Sequence, residues 1–270
     1  MKRATIDGID LAYVDRGEGT PVLLIHGFPL DHTMWEAQID ALATKYRVLA
    51  PDLRGFGQSV ALEQGDWDDV VTMERFADDL AALLQTIEVN RPAVVVGLSM
   101  GGYVALEFWR KHTERTKRLV LCDTRAAKDP PEVAAGRLET ADQVLRDGAA
   151  SLAEGMIPKL FPQSTITEQP ELGEAFRRMV SEADPRGIAA AARGMAERRD
   201  MTKLLQQIAC PTLLIVGTWD IISPPEEMHA IAEAIPRAQF AEIPGCGHLS
   251  AMEKPEAVNR TLLEFLGRFS

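Results

Sequence analysis

The chain has 270 residues, 46% of them hydrophobic, a length that suits one large domain or a domain carrying an insertion. Lys and Arg number 29 against 40 Asp and Glu, a net charge of −11 at pH 7. That balance repels phosphate backbones and sets nucleic acid aside as a partner.

Residues 3–7 and 10–15 alternate on either side of Asp7-Gly8, which predicts an antiparallel hairpin. Six short runs rich in β-branched residues follow: "PVLLIHG" from Pro21, "YRVLAPD" from Tyr46, "AVVVGLS" from Ala93, "RLVLCDT" from Arg118, "PTLLIVG" from Pro211 and "AQFAEIPG" from Ala238. Several are apolar at successive positions, as strands covered on both faces must be. Helical spacing separates them. "MERFADDLAALLQTI" from Met73 places Phe76, Leu80, Leu83, Leu84 and Ile87 on one stripe behind Thr72 as N-cap. "YVALEFWRKH" and the final "PEAVNRTLLEFLGRF" behave alike, the latter with Pro255 at its start. Alternating strand and helix predicts an α/β fold with a mostly parallel sheet.

Residues 126–200 break this rhythm. The segment holds no convincing strand, is rich in Ala, Arg, Glu and Met, and is interrupted at Pro130-Pro131, Pro158, Pro162, Pro170 and Pro185. It reads as a helical cap over the carboxyl ends of the strands, between the sixth and seventh of them, with residues 1–125 and 201–270 as the core.

The chemistry centres on Gly97-Leu98-Ser99-Met100-Gly101, a G-x-S-x-G set between a strand and a helix. A sharp turn there leaves no room for side chains two positions either side of the serine, and it lifts the hydroxyl toward a helix N-terminus. "GLSMGG" also resembles a dinucleotide fingerprint, with Asp123 about 20 residues on, but Ser99 stands where that fingerprint needs glycine. A serine nucleophile needs a base, and the base a carboxylate. Of five histidines, His112 and His229 lie in charged helical stretches, and His248 lies in a glycine-rich loop after the last strand. His248 is the expected base. Asp220 and Asp123 both end strands facing one crevice; Asp220 is preferred because the loop after it is long enough to reach under His248. The backbone N–H groups of Met100 and Phe28 are the expected oxyanion donors. His26, Trp35 and Trp219 are candidate substrate contacts, Trp35 being equally readable as core.

Taken together, "HGFPLDHTMW", "APDLRGFGQS", "GLSMGG", "VGTWDIISPP" and "IPGCGHLSAMEKP" resemble the α/β-hydrolase family over nearly the whole chain. The resemblance implies an eight-stranded, mostly parallel sheet with helices on both faces. It implies Ser99 as nucleophile, Asp220 as acid, His248 as base, Phe28 and Met100 as oxyanion donors, and a loop-shaping role for "DLRGFGQS". The forms of these motifs are similar to small carboxylesterases, 3-oxoadipate enol-lactonase-like hydrolases and the cofactor-free haloperoxidase group.

The expected function is therefore serine hydrolysis of a small carboxylic ester or lactone through an acyl-enzyme, with no cofactor and no metal. Carbon–carbon bond hydrolysis is an alternative, for which Arg125, Arg137, Arg177 and Arg193 offer basic groups in the cap, as are a perhydrolase side activity suggested by Pro29 and a non-catalytic ligand receptor. The N-terminal stretch lacks the apolar run of a secretory signal, and no segment approaches the roughly 20 apolar residues of a membrane span. Cys122, Cys210 and Cys246 are odd in number and widely spaced, which suits reduced thiols in the cytoplasm. Cys246, two residues before His248, reads either as a site of oxidant sensitivity or as a small buried residue. Oligomeric state is not legible in the sequence.

Overall fold

A computed structural model describes residues 1–61 and 69–268. All eight predicted strands form: β1 (Lys2–Ile6), β2 (Ile9–Arg16), β3 (Pro21–Ile25), β4 (Arg47–Pro51), β6 (Ala93–Leu98), β7 (Thr116–Cys122), β8 (Thr212–Gly217) and β9 (Ala238–Ile243). The two-residue β5 (Val60–Ala61) adds a ninth at the edge of β2. The order is β1-β2-β4-β3-β6-β7-β8-β9, parallel from β4 to β9 and antiparallel where β2 meets β1 and β4. Asp7 and Gly8 turn the first hairpin, both at positive φ, where Gly8 is free of Cβ strain. Every residue of β3, β6 and β8 is buried. Since successive side chains point to opposite faces, both faces of the sheet are covered.

The covering helices in the first half are α1 (Glu36–Leu42), α2 (Met73–Thr86) and α3 (Met100–Lys111). Thr72 caps α2 as predicted, its hydroxyl accepting from Arg75 N–H at 3.1 Å. Phe76, Leu80, Leu83 and Leu84 are fully buried along one stripe, each worth about 1.5–3 kcal/mol relative to exposure.

Between β7 and β8 run five helices: α4 (Pro131–Asp147), α5 (Ala150–Leu160), α6 (Gln163–Glu168), α7 (Pro170–Glu182) and α8 (Pro185–Ala196). Pro131, Pro170 and Pro185 open helices, where a missing N–H costs nothing. Pro158 differs from expectation: α5 runs through it and ends two residues later, at Leu160. The segment leaves and rejoins the sheet at one point, where Met201 N–H donates to Ala126 O at 2.8 Å. It presses on the core through α8, where an added Cβ at Gly187 would lie 2.0 Å from Gly55 O and one at Gly194 1.8 Å from Val71 O. The chain ends with α9 (Pro225–Ala234), α10 (Ser250–Glu253) and α11 (Pro255–Gly267). No helix among the described residues is long and apolar enough to cross a membrane.

Candidate active site

Ser99 sits between β6 and α3 with φ 54° and ψ −116°, a left-handed conformation rare for a residue with a side chain. The surroundings enforce it. A Cβ at Gly97 would fall 2.1 Å from Gly101 O, and one at Gly101 would fall 2.2 Å from Ile25 O. Thr124 supports the turn by donating its hydroxyl to Ser99 O at 2.7 Å. Gly101→Ala is therefore expected to destabilise the fold by about 1–3 kcal/mol or more and to lower activity in the fraction that folds, read by urea denaturation alongside turnover. A variant of full stability and activity would refute this account of the turn.

His248 lies in the loop between β9 and α10, and its Nε2 is 2.8 Å from Ser99 Oγ. Its Nδ1 is 2.8 Å from Asp220 Oδ2. A carboxylate only accepts, so Nδ1 carries the ring proton and donates to Asp220, leaving Nε2 to accept from the Ser99 hydroxyl. The second oxygen of Asp220 accepts from Ile222 N–H at 2.8 Å and Ser223 N–H at 2.9 Å, which fixes the carboxylate's orientation. His248 and Asp220 are buried; Ser99 is half-buried and reachable.

Residues invisible as site elements in the sequence hold the histidine loop. His248 N–H donates to Leu160 O at 2.9 Å, so the end of α5 anchors it. Glu253 accepts from Gly247 N–H at 2.9 Å and, through its other oxygen, from the Thr165 hydroxyl at 2.8 Å. Burial raises the Glu253 carboxyl above its ordinary range despite these bonds. Asp123, the alternative acid, faces elsewhere: it accepts from Gly217 N–H at 2.9 Å, at the end of β8 before Asp220, and shares a hydrogen bond with Ser250 Oγ, which opens α10 after His248. It is fully buried at φ 46°. Burial, and then the charge of Asp220, pushes its carboxyl well above the usual range.

Met100 N–H opens α3 directly after Ser99, where a helix has no acceptor of its own to offer. A Cβ on Gly27 would stand 3.5 Å from Ser99 Cβ, so the backbone that leads into Phe28 packs against the serine. Neither N–H has a protein acceptor among the described residues.

The substrate contacts expected at His26 and Trp35 need correction. His26 is fully buried, its Nε2 accepting from Leu53 N–H at 2.9 Å and its Nδ1 donating to Gly27 O at 2.9 Å. No ring nitrogen is left for a ligand, and burial lowers its pKa, keeping it neutral. Trp35 is 0% exposed in the core. Trp219 is 53% exposed beside Gly245 and does not line the cleft at Phe28. That cleft, of about 530 Å³, lies between α4 and α5. Asp31, His32 and Asp52 bring possible metal-ligand atoms within 4.8 Å of one another. Their bonds are loop bonds, however: Asp52 accepts from His32 N–H, from His32 Nδ1 and from Gln58 N–H, each at 2.6–2.8 Å. Arg54 is likewise taken by buried Asp79 at 2.8 Å, so "DLRGFGQS" shapes its loop. Cys246 is buried, and burial raises its thiol far out of the reactive range.

A strained serine on a strand-to-helix turn, bonded to a histidine that is bonded to a strand-end aspartate, above a mostly parallel sheet, is the arrangement of a hydrolase. Residues 22–261 match the Alpha/beta hydrolase family, and the chain belongs to it. It is similar to a thermophilic esterase from Thermogutta terrifontis, solved with malate bound, at 49% identity and TM-score 0.94 over 99% of each chain. It is also similar to the enol-lactonase from Burkholderia xenovorans, at 29% identity and TM-score 0.89 over 98% of this chain and 100% of that one. A putative non-heme bromoperoxidase of Mycobacterium tuberculosis is 30% identical over 95% of this chain and 97% of its own length.

Proposed function

We propose that the protein hydrolyses small carboxylic esters or lactones, with Ser99 as nucleophile, His248 as general base and acid, and Asp220 as the carboxylate that orients it. The observation that carries this reading is the unbroken pair of 2.8 Å contacts from Ser99 Oγ to His248 and from His248 to Asp220. Ser99 Oγ attacks the carbonyl carbon while His248 Nε2 takes its proton. The amides of Phe28 and Met100 receive the charge on the carbonyl oxygen, each worth about 2.7–4 kcal/mol in the transition state. Collapse expels the alcohol, protonated by His248, and leaves an acyl-Ser99; water, deprotonated by the same ring, releases the acid. The helices of residues 126–200 act as a cap, since α5 holds His248 in place and walls the cleft beside Phe28. The relatives named as esterase and enol-lactonase support the substrate class. The bromoperoxidase likeness, with Pro29 after Phe28, supports a perhydrolase side activity. Reduced thiols suit a cytoplasmic site of action.

Carbon–carbon hydrolysis has less support. Of the four arginines that could hold its substrate, Arg125, Arg177 and Arg193 are paired with Glu227, Glu154 and Asp142, and only Arg137 lines the cleft. A fluorophosphonate should add a single phosphonyl group to the peptide containing Ser99, and p-nitrophenyl butyrate should give a burst of product equal to the enzyme present. A label on another residue, or none with folded protein, would overturn the reading.

A further inference from the structure

The cleft at Phe28 has a charge pattern opposite to that of the whole molecule. Its walls are two helix faces at four-residue spacing: Gly136 and Thr140 on α4, and Ser151, Gly155 and Lys159 on α5. A Cβ at Gly136 or Gly155 would meet nothing within 4 Å, so both glycines widen the cleft toward solvent. Its apolar lining comes from Phe28, Val133, Leu152 and Met156. Its charged lining is Arg137 and Lys159; no Asp or Glu lines it among the described residues. The volume of about 530 Å³ suits a small organic ligand.

The two cations differ in what they have to spare. Arg137 is 2.5 Å from buried Asp129, which Arg198 also engages at 2.8 Å, so one carboxylate serves two guanidinium groups and the cluster keeps a positive surplus. Lys159 makes no ion pair among the described residues, and the acid on its own helix, Glu154, is too far along it to face Lys159 and is held by Arg177 at 2.6 Å. On a chain of net charge −11, this is a local cationic mouth over an apolar floor.

We infer that this cleft selects esters and lactones bearing a carboxylate remote from the reacting carbonyl, with Lys159 as the specificity-determining residue that recognises the carboxylate. The inference rests on the ester-hydrolase reading above. Two contacts join the cleft to the serine: Phe28, which lines it, follows Gly27, where a Cβ would stand 3.5 Å from Ser99 Cβ, and Leu160, next to Lys159, accepts from His248 N–H at 2.9 Å, so a chain running from the acyl-enzyme past Phe28 meets the apolar lining before the cation. An anionic tail is attracted there, and a neutral tail of equal length gains only the apolar contact.

The test uses two esters of the same acyl length, mono-p-nitrophenyl glutarate and p-nitrophenyl valerate, with the ratio of their kcat/KM values as the readout. For the wild type the ratio should favour the glutarate by about fivefold at low salt and shrink in 0.5 M NaCl, where screening reaches the rim. Lys159→Gln should reduce the ratio severalfold, and Lys159→Glu should take it below that of Lys159→Gln. A wild-type ratio of one or less, or a ratio that neither variant moves, overturns the role of Lys159 while leaving the hydrolase reading intact. Folded protein that turns over neither ester defeats both.

Discussion

Ser99→Ala will lower kcat for a p-nitrophenyl ester by about 10⁴-fold or more while leaving the fold in place. Alanine removes one oxygen from a half-buried position, and the hydroxyl donates only toward His248, so no buried acceptor is orphaned beyond Nε2. The steric cost of φ 54° persists in alanine, and the glycine contacts that impose it are untouched. The melting temperature should therefore stay within a few degrees of wild type while turnover vanishes. His248→Ala should match it, and Ser99→Ala with His248→Ala should be no worse than either alone, because the two act on one proton transfer. Additive losses, or Ser99→Ala with more than a tenth of wild-type kcat, would remove Ser99 from the chemistry.

The parts of this arrangement legible in the sequence are those that local physics fixes. Parallel strands covered on both faces have to be apolar at consecutive positions, so "VLLI", "VVV" and "LLIV" announced themselves. The turn at Ser99 requires glycine at 97 and 101 because backbone atoms lie about 2 Å from where a Cβ would stand, and that requirement is written as a motif. The supports of His248 were illegible for the converse reason. Leu160 O, Thr165 and Glu253 meet the histidine loop across up to 88 residues of sequence, through groups with no fixed spacing to betray them. His26 was misread because a histidine next to the oxyanion loop looks the same in sequence whether its ring faces the substrate or, as here, bonds backbone groups on both sides. Lys159 carried one weak signal, its four-residue spacing from Gly155 on a helix. Pro158, beside it, instead suggested that no helix continued there.

Which carboxylate orients His248 is decided by a pair of substitutions that differ by one oxygen each. Asp220→Asn should lower kcat by about 10⁴-fold, because an amide nitrogen facing Nδ1 would favour the wrong ring tautomer. Asp123→Asn should keep kcat within about tenfold of wild type, since Asp123 touches Gly217 and Ser250 and never the ring. The opposite ranking would move the acid to Asp123. Stability supplies an independent readout of its charge. Burial and the neighbouring Asp220 hold the folded Asp123 carboxyl well above its ordinary range, whereas the unfolded chain loses that proton near pH 3.9. Above that pH unfolding releases a proton, so the wild type loses stability as pH rises toward the folded value, by at most about 1.4 kcal/mol per pH unit. Asparagine does not titrate. Its carbonyl can still accept from Gly217 N–H and its amide can donate to Ser250 Oγ, with one extra buried N–H as a constant cost of about 1–3 kcal/mol. Urea titrations of both proteins should therefore show the difference, Asp123→Asn minus wild type, moving in favour of asparagine as pH rises above the unfolded value. A difference that is flat with pH, or that moves toward aspartate, would mean that Asp123 is ionised in the folded protein and that two adjacent carboxylates share the charge behind His248.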